Sequence, residues 1–378
     1  MSRDNSRVLR APKDYAIVND RETSDGEEEL DGPEILDQWI VPQTDIEPDM
    51  FGMVICSLVR DTHDIYASKG RMTGRIARLL TTLLLLCFCI ALQIFLLIKV
   101  KQFVSAKAVH DIREAYDKYE EIMYDETILN VNGKHRGVEG TFEVARFDDL
   151  SADEQSAVCR IPLSQPDFFF IILLIWTLTC CGELKKCISL YRSLIFNTGR
   201  VSSMKYALKE VIDEETEGDD FLVEGLTLYM KGLITTLVIL PRLAIALVLT
   251  WLGCRWLLAT TDFADLILNA VALEFILGMK EVLYETLMTR KNKDDVDTTK
   301  ILPAVGVEEA GIRIFVGAVA WIVLAAVWVL LYMGIPHKME GLQLVLPDYR
   351  WDVHDVCTAW IAWRYCVAEV CPASPDAV

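Results

Sequence analysis

Seven polar residues lie where the surrounding sequence is otherwise apolar: Arg242 and Arg255 in one long block, and Asp265, Asn269, Glu274, Lys280 and Glu281 in the next. Ionisable groups at membrane depth are costly and face protein or water, so they mark either ion paths or pairs that hold helices together. The link Thr260-Thr261-Asp262 is short enough to fold the two blocks into an antiparallel hairpin. With the turn near Thr260, Arg255 and Asp265 sit about five residues from it on opposite arms, at similar depth, and can pair. Arg242 lies 18 residues before the turn, between Glu274 at 14 after it and Glu281 at 21 after it, so its long guanidinium can reach either acid. On a helical wheel Asp265, Asn269 and Lys280 share a sector of roughly 60°, with Glu274 and Glu281 on the opposite face. One reading of this pattern is a set of charges that pin helices together. The other is an ion or proton path with Glu274 as its central acid.

These residues need long apolar elements to place them. The chain has 378 residues, 52% hydrophobic and 24% charged, with a mean hydropathy of +0.29. Its apolar residues gather in blocks of about 20, the length that crosses a hydrocarbon core. The expected fold is an all-α polytopic membrane protein of about five transmembrane helices with a small mixed extramembrane domain. Residues 1–65 are acidic and read as largely disordered, although 50–65 is apolar enough for a short helix at the membrane face. Residues 66–100 hold a basic juxtamembrane run and the first span, from Leu79, too far along the chain for a secretory signal peptide. Residues 101–166 form the small domain, with a helix over Val104–Tyr124, a turn at Asn132-Gly133 and a hairpin arm over Val138–Phe147. The second span occupies 167–188 and an acidic aqueous linker 189–230. The hairpin occupies 231–285, with Pro241 set to kink its first arm, a loop 286–310 and the fifth span 311–334. A Cys- and Trp-containing tail, 335–378, carries an expected helix over Val353–Val370.

Lys69, Arg71, Arg75, Arg78, Lys185, Lys186, Arg192, Arg290, Lys291 and Lys293 all flank the spans on one side, which the positive-inside rule makes cytoplasmic together with the N-terminus. Plasma and organelle membranes fit equally. Of 11 cysteines, Cys159, Cys357, Cys366 and Cys371 fall on the opposite side, where disulfides persist, and are candidates for bridging. The formal charge of -18 opposes a nucleic-acid partner. The expected partners are the bilayer and either further copies of the chain or other subunits of a membrane complex. No phosphate loop, zinc-binding helix motif or nucleophile elbow is present, so no enzyme activity, metal or cofactor is expected. Two functions remain: an ion channel or transporter subunit using the charges of the third and fourth spans, or a non-conducting structural or regulatory subunit.

Overall fold

The structure is a computed structural model, and it describes residues 43–67, 72–212, 219–303, 312–334, 344–346 and 349–364. A short strand β1 (Thr44–Asp45) leads into α1 (Met50–Tyr66). Asp49 caps α1 by accepting the Gly52 amide at 2.7 Å, which satisfies one of the free N–H groups of a helix start. From Met50 to Val59 every residue of α1 is buried. At Gly52 the preceding chain passes so close that a side-chain carbon would lie 2.0 Å from the Glu47 carbonyl.

Next come α2 (Met72–Lys99), a π-helical turn (Val100–Ser105) and α3 (Ala106–Met123), which run on as one helix of 52 residues. The hairpin β2 (Thr127–Leu129) and β3 (His135–Gly137) turns through Gly133, whose positive φ of 70° suits glycine. A 3₁₀ turn (Val144–Asp149) precedes α4 (Ala152–Cys159), which a Ser151–Glu154 capping box starts. The next helix, α5 (Pro166–Tyr191), ends in a π-helical turn, Arg192–Asn197. Then follow β4 (Gly199–Arg200), β5 (Leu208–Ile212), β6 (Asp219–Val223) and β7 (Gly225–Leu226). Another continuous run joins α6 (Leu228–Ile234), a π-helical turn (Thr235–Ile239) and α7 (Leu240–Leu258). The chain continues with α8 (Phe263–Leu287), α9 (Arg290–Asp297), β8 (Thr299–Ile301), α10 (Ile312–Met333) and α11 (Asp352–Arg364).

The described chain is mainly helical, and four of its helices are long and apolar enough to cross a membrane: Met72–Met123, Pro166–Asn197, Leu228–Leu258 and Phe315–Met333. Only 17% to 39% of their most apolar stretches is buried. Leu80, Leu84, Phe88, Ile171, Ile175, Leu247 and Val319 all lie exposed. So much contiguous exposed apolar surface needs a cover other than water. The fourth expected span exists as the helix α8, but its acids and lysine set it apart in composition from the other four. In the bundle α5 packs on α7 and α10, while α8 packs on α7, α2 and α5. Gly253 of α7 lies directly beneath the Trp176 indole of α5.

Two folded units cap the bundle. In the first, three segments distant in sequence form one sheet in the order β1-β8-β6-β5. β8 runs antiparallel to β1 and parallel to β6, and β6 runs antiparallel to β5. This sheet unit corrects three expectations. Residues 43–66 are ordered and wrap into its core. The described parts of the acidic linker 189–230 and of the loop 286–310 are strands and short helices. Their strands are two to five residues long, too short to give a period in sequence, and their partners lie far along the chain. Asp61, fully buried, accepts from Arg78 at 2.9 and 3.0 Å and from the hydroxyl of Ser57 at 2.7 Å. Arg78 also pairs with Asp295 of α9. The start of the long helix is thereby held to both α1 and α9.

The second unit contains the expected small domain. Val109, Ile112, Tyr116 and Tyr119 line the buried face of α3, as their spacing predicts. The hairpin arms fall at 127–129 and 135–137 rather than at Val138–Phe147, because the turn at Gly133 sits in the middle of the pairing. Cys159 of α4 is disulfide-bonded to Cys357 of α11, which ties the tail to this unit. Cys366 and Cys371, like Val367 and Val370 of the expected tail helix, lie outside the described residues. Val353, Val356, Cys357 and Trp360 are buried, so α11 packs on protein. Its first residue, Asp352, accepts a hydrogen bond from the Tyr124 hydroxyl. Burial pushes the Asp352 carboxyl above its ordinary range, against the pull of Tyr124, the Val353 amide and Arg350.

A carboxyl raised in this way favours the folded state while protonated, and that contribution is lost as pH rises through its folded value. The protection of the α11 amides, taken relative to the exchange of an unstructured peptide at each pH, should therefore be greatest in mild acid and fall toward neutral pH. Asp352→Asn keeps an acceptor for Tyr124 and should flatten that dependence.

Candidate functional site

Arg242 follows Pro241 at the first turn of α7. Proline supplies no backbone donor, and the π-helical turn before it accommodates the missing bond. The side chain of Arg242 is 4% exposed and reaches three carboxylates: Glu47 at 2.5 Å, Glu183 at 3.2 Å and Asp49 at 3.4 Å. Lys280 of α8, 3% exposed, meets Glu183 at 2.6 Å and Glu281 at 3.0 Å. Glu183 is thus shared by two buried cations, and it also contacts Lys186 on its own helix at 3.0 Å.

The chain assembles this cluster at a common depth. Glu183, Arg242 and Lys280 each lie 16 or 17 residues from the end of their helix nearest the disulfide unit. At 1.5 Å per residue that is about 25 Å along the bundle. Glu47 and Asp49 enter from the other end, on the loop before α1. Asp49 therefore has two tasks, with one oxygen on the Gly52 amide and the other toward Arg242. Burial pushes its carboxyl above the ordinary range, while Arg242 and the Gly52 N–H pull it down.

The most buried members balance: Asp49 and Glu183 against Arg242 and Lys280. Glu47, Glu281 and Lys186 form a more exposed rim. Beside the cluster, Gln93 of α2 donates to the Ile276 carbonyl at 3.1 Å. A small cavity lined by Phe51, Gln93, Glu183, Arg242 and Lys280 has room for about one water. Gln93 Oε1 and Arg242 Nε have no hydrogen-bond partner among the described residues and border it. The cavity can hold a single water among these charges and is no wider than that among the described residues.

Of the seven residues singled out in the sequence, the structure brings together Arg242, Lys280 and Glu281. Arg242 turns away from Glu274, toward α5 and the N-terminal loop, and its link to Glu281 runs only through Glu183 and Lys280. Arg255 and Asp265 form no ion pair: Arg255 stacks near the Trp251 ring at 5.8 Å, and Asp265 is exposed. Equal distance from a turn fixes depth but not the face presented. Asn269 donates to the Thr260 hydroxyl at 2.9 Å and closes the α7–α8 turn. Glu274 points outward from the bundle among exposed Val271, Phe275 and Ile267.

Sequence reasoning missed Glu183, Glu47 and Asp49. Glu183 was legible as an acid inside the second apolar block, two residues before Lys185-Lys186. Asp49, just ahead of an apolar run, has the form of a helix cap. Nothing local tied either to Arg242. No protein-family model, curated protein or solved structure matches the chain.

Glu183→Gln should leave two buried cations short of a counter-charge, at a cost of about 3–5 kcal/mol. Thermal retention of the detergent-solubilised chain should fall accordingly. The double change Glu183→Gln with Lys280→Met should recover most of the loss. Equal destabilisation by the single and double variants would refute a charge-based cluster.

Proposed function

We propose that the chain is a five-span membrane protein acting as a non-conducting structural or regulatory subunit of a membrane complex, and that it couples folded units on the two sides of the bilayer. The observation that carries this reading is the balanced and occupied state of the buried charges. Two acids and two bases are tied to one another across α5, α7, α8 and the loop before α1. An ion path needs groups that release their charge partner in turn, with space between them. Paired charges around room for one water fit a fastening better. Support for coupling comes from the continuous helix Met72–Met123, whose first turns are held by Asp61 and whose last turns form the core of the disulfide unit.

The remaining span, fourth in chain order, is α8. Its 25 residues would reach about 37 Å, and Ile267, Leu268, Val271, Phe275 and Val282 form an exposed apolar face. Orientation follows the charges and the disulfide. Arg75, Arg78, Lys185 and Lys186 lie toward the sheet unit, and the positive-inside rule supports a cytoplasmic side for it. The Cys159–Cys357 bond then lies in an oxidising compartment.

Glu274 favours a second reading. It is 11 residues into α8, near mid-bilayer, on the outward apolar face. A carboxylate there calls for a partner subunit, and an oligomer burying it could conduct ions. Full-length protein reconstituted in liposomes separates the two. The subunit reading expects flux no greater than empty vesicles under voltage and pH steps, with Glu274→Gln changing only recovery of the assembled form. Ion-selective flux abolished by Glu274→Gln at equal reconstitution would overturn it.

A further inference from the structure

An open groove of about 510 Å³ lies where α6 enters the bundle, at the end occupied by the sheet unit. Its wall includes Arg200, Lys231, Thr235, Thr236, Leu228 and Ile195, two cations and no acid, in a chain whose formal charge is -18. Neither cation has a carboxylate partner among the described residues. Lys231 is fixed by donating to the carbonyls of Ile195 at 2.9 Å and Thr198 at 2.7 Å. An ammonium carries three donors, so one remains after these two bonds. Arg200, on strand β4, is exposed and brings a guanidinium that matches phosphate oxygens in pairs.

The surroundings are those of a headgroup layer. Tyr229 and Tyr206 are exposed around this level beside exposed Leu228 and Phe196, and tyrosine, apolar with one polar end, settles at the lipid–water boundary. Farther along the same continuous helix Leu240 and Leu247 lie exposed, an apolar track leading away from the two cations. The threonine hydroxyls spend their protons on the helix itself, Thr235 on the Lys231 carbonyl and Thr236 on that of Gly232. The cations alone therefore supply donors to a ligand. Two donors above an apolar track suit an amphiphile with an anionic head.

We infer that this groove binds an anionic phospholipid of the surrounding leaflet, its phosphate held between Arg200 and Lys231 and one acyl chain lying along α6 and α7. The inference rests on the membrane-spanning reading above. Under that orientation the groove opens at the cytoplasmic leaflet, whose anionic lipids basic side chains attract.

The full chain is reconstituted in vesicles of phosphatidylcholine containing a minor fraction of phosphatidylglycerol, re-extracted in mild detergent, and its retained lipid measured by native mass spectrometry. The wild type should retain phosphatidylglycerol well above its share of the bilayer. Arg200→Gln with Lys231→Gln should lower that excess about thirtyfold, as expected for two lost charges near the surface. Lys231→Arg should keep most of it, and Lys209→Gln, an exposed lysine of the sheet, should leave it unchanged. Arg200→Gln alone, at an exposed position, should give a partial loss even if Lys231→Gln fails to fold. An excess that survives in the double variant, or that falls as far in Lys209→Gln, overturns the site. Displacement of the lipid by millimolar inorganic phosphate would overturn it in favour of a free anion. Flotation of every variant with the vesicles is scored separately, and failure of the wild type to float would sink the membrane reading itself.

Discussion

Among the described residues, Glu183 is the carboxylate that Arg242 and Lys280, both buried in the bundle, share. Three helices and the loop ahead of α1 meet at that point, so its charge sets how close α5, α7 and α8 can come. Hydrophobic contact alone would leave these helices free to slide, because lipid tails offer an apolar helix as favourable a surface as another helix does. A shared ion triad has a single register. Here it fixes three helices at one depth and leaves their outer faces apolar.

The same contact explains why the residues before α1 are ordered. Arg242 has three carboxylates around it, and two of them, Glu47 and Asp49, come from that loop. Without them the guanidinium would share Glu183 with Lys280 and be undercompensated in a buried position. The loop therefore supplies charge to the bundle, and the bundle in turn anchors the cap of α1. Helix α1 then offers its buried face to the sheet, and Asp61 of α1 holds Arg78 at the start of the long helix. Bundle and sheet unit are joined by two ionic contacts on opposite ends of one helix.

What could be read in the sequence follows from the range of the interaction. The helices of the bundle announce themselves by runs of apolar residues, and the buried face of α3 by its spacing of three and four. Arg242 and Lys280 stood out because a charge in an apolar block is a local anomaly. Glu183 is the same kind of anomaly in its own block, but nothing local ties it to them. The pairing of Arg242 with Glu183 spans 59 residues and that of Lys280 with Glu183 spans 97. Reasoning confined to one hairpin offered Glu274 and Glu281 instead, since these were the acids at matching depth. The sheet was hidden for a related reason. β1 meets β8 across more than 250 residues, and two-residue strands carry no alternation to detect.

Glu274 is the residue that these arguments do not satisfy, and it is informative for that reason. Glu183 and Glu281, at neighbouring depths, each have a cation in reach. Among the described residues Glu274 has no ion pair, and exposed Val271 and Phe275 flank it with apolar surface. Under the five-span proposal, a carboxyl on such a face calls for cover by a group outside the bundle, which supplies both a charge partner and a hydrogen bond. On that proposal the outward acid of α8 argues for a neighbour against this face, while the inward cluster ties α5, α7 and α8 within one chain.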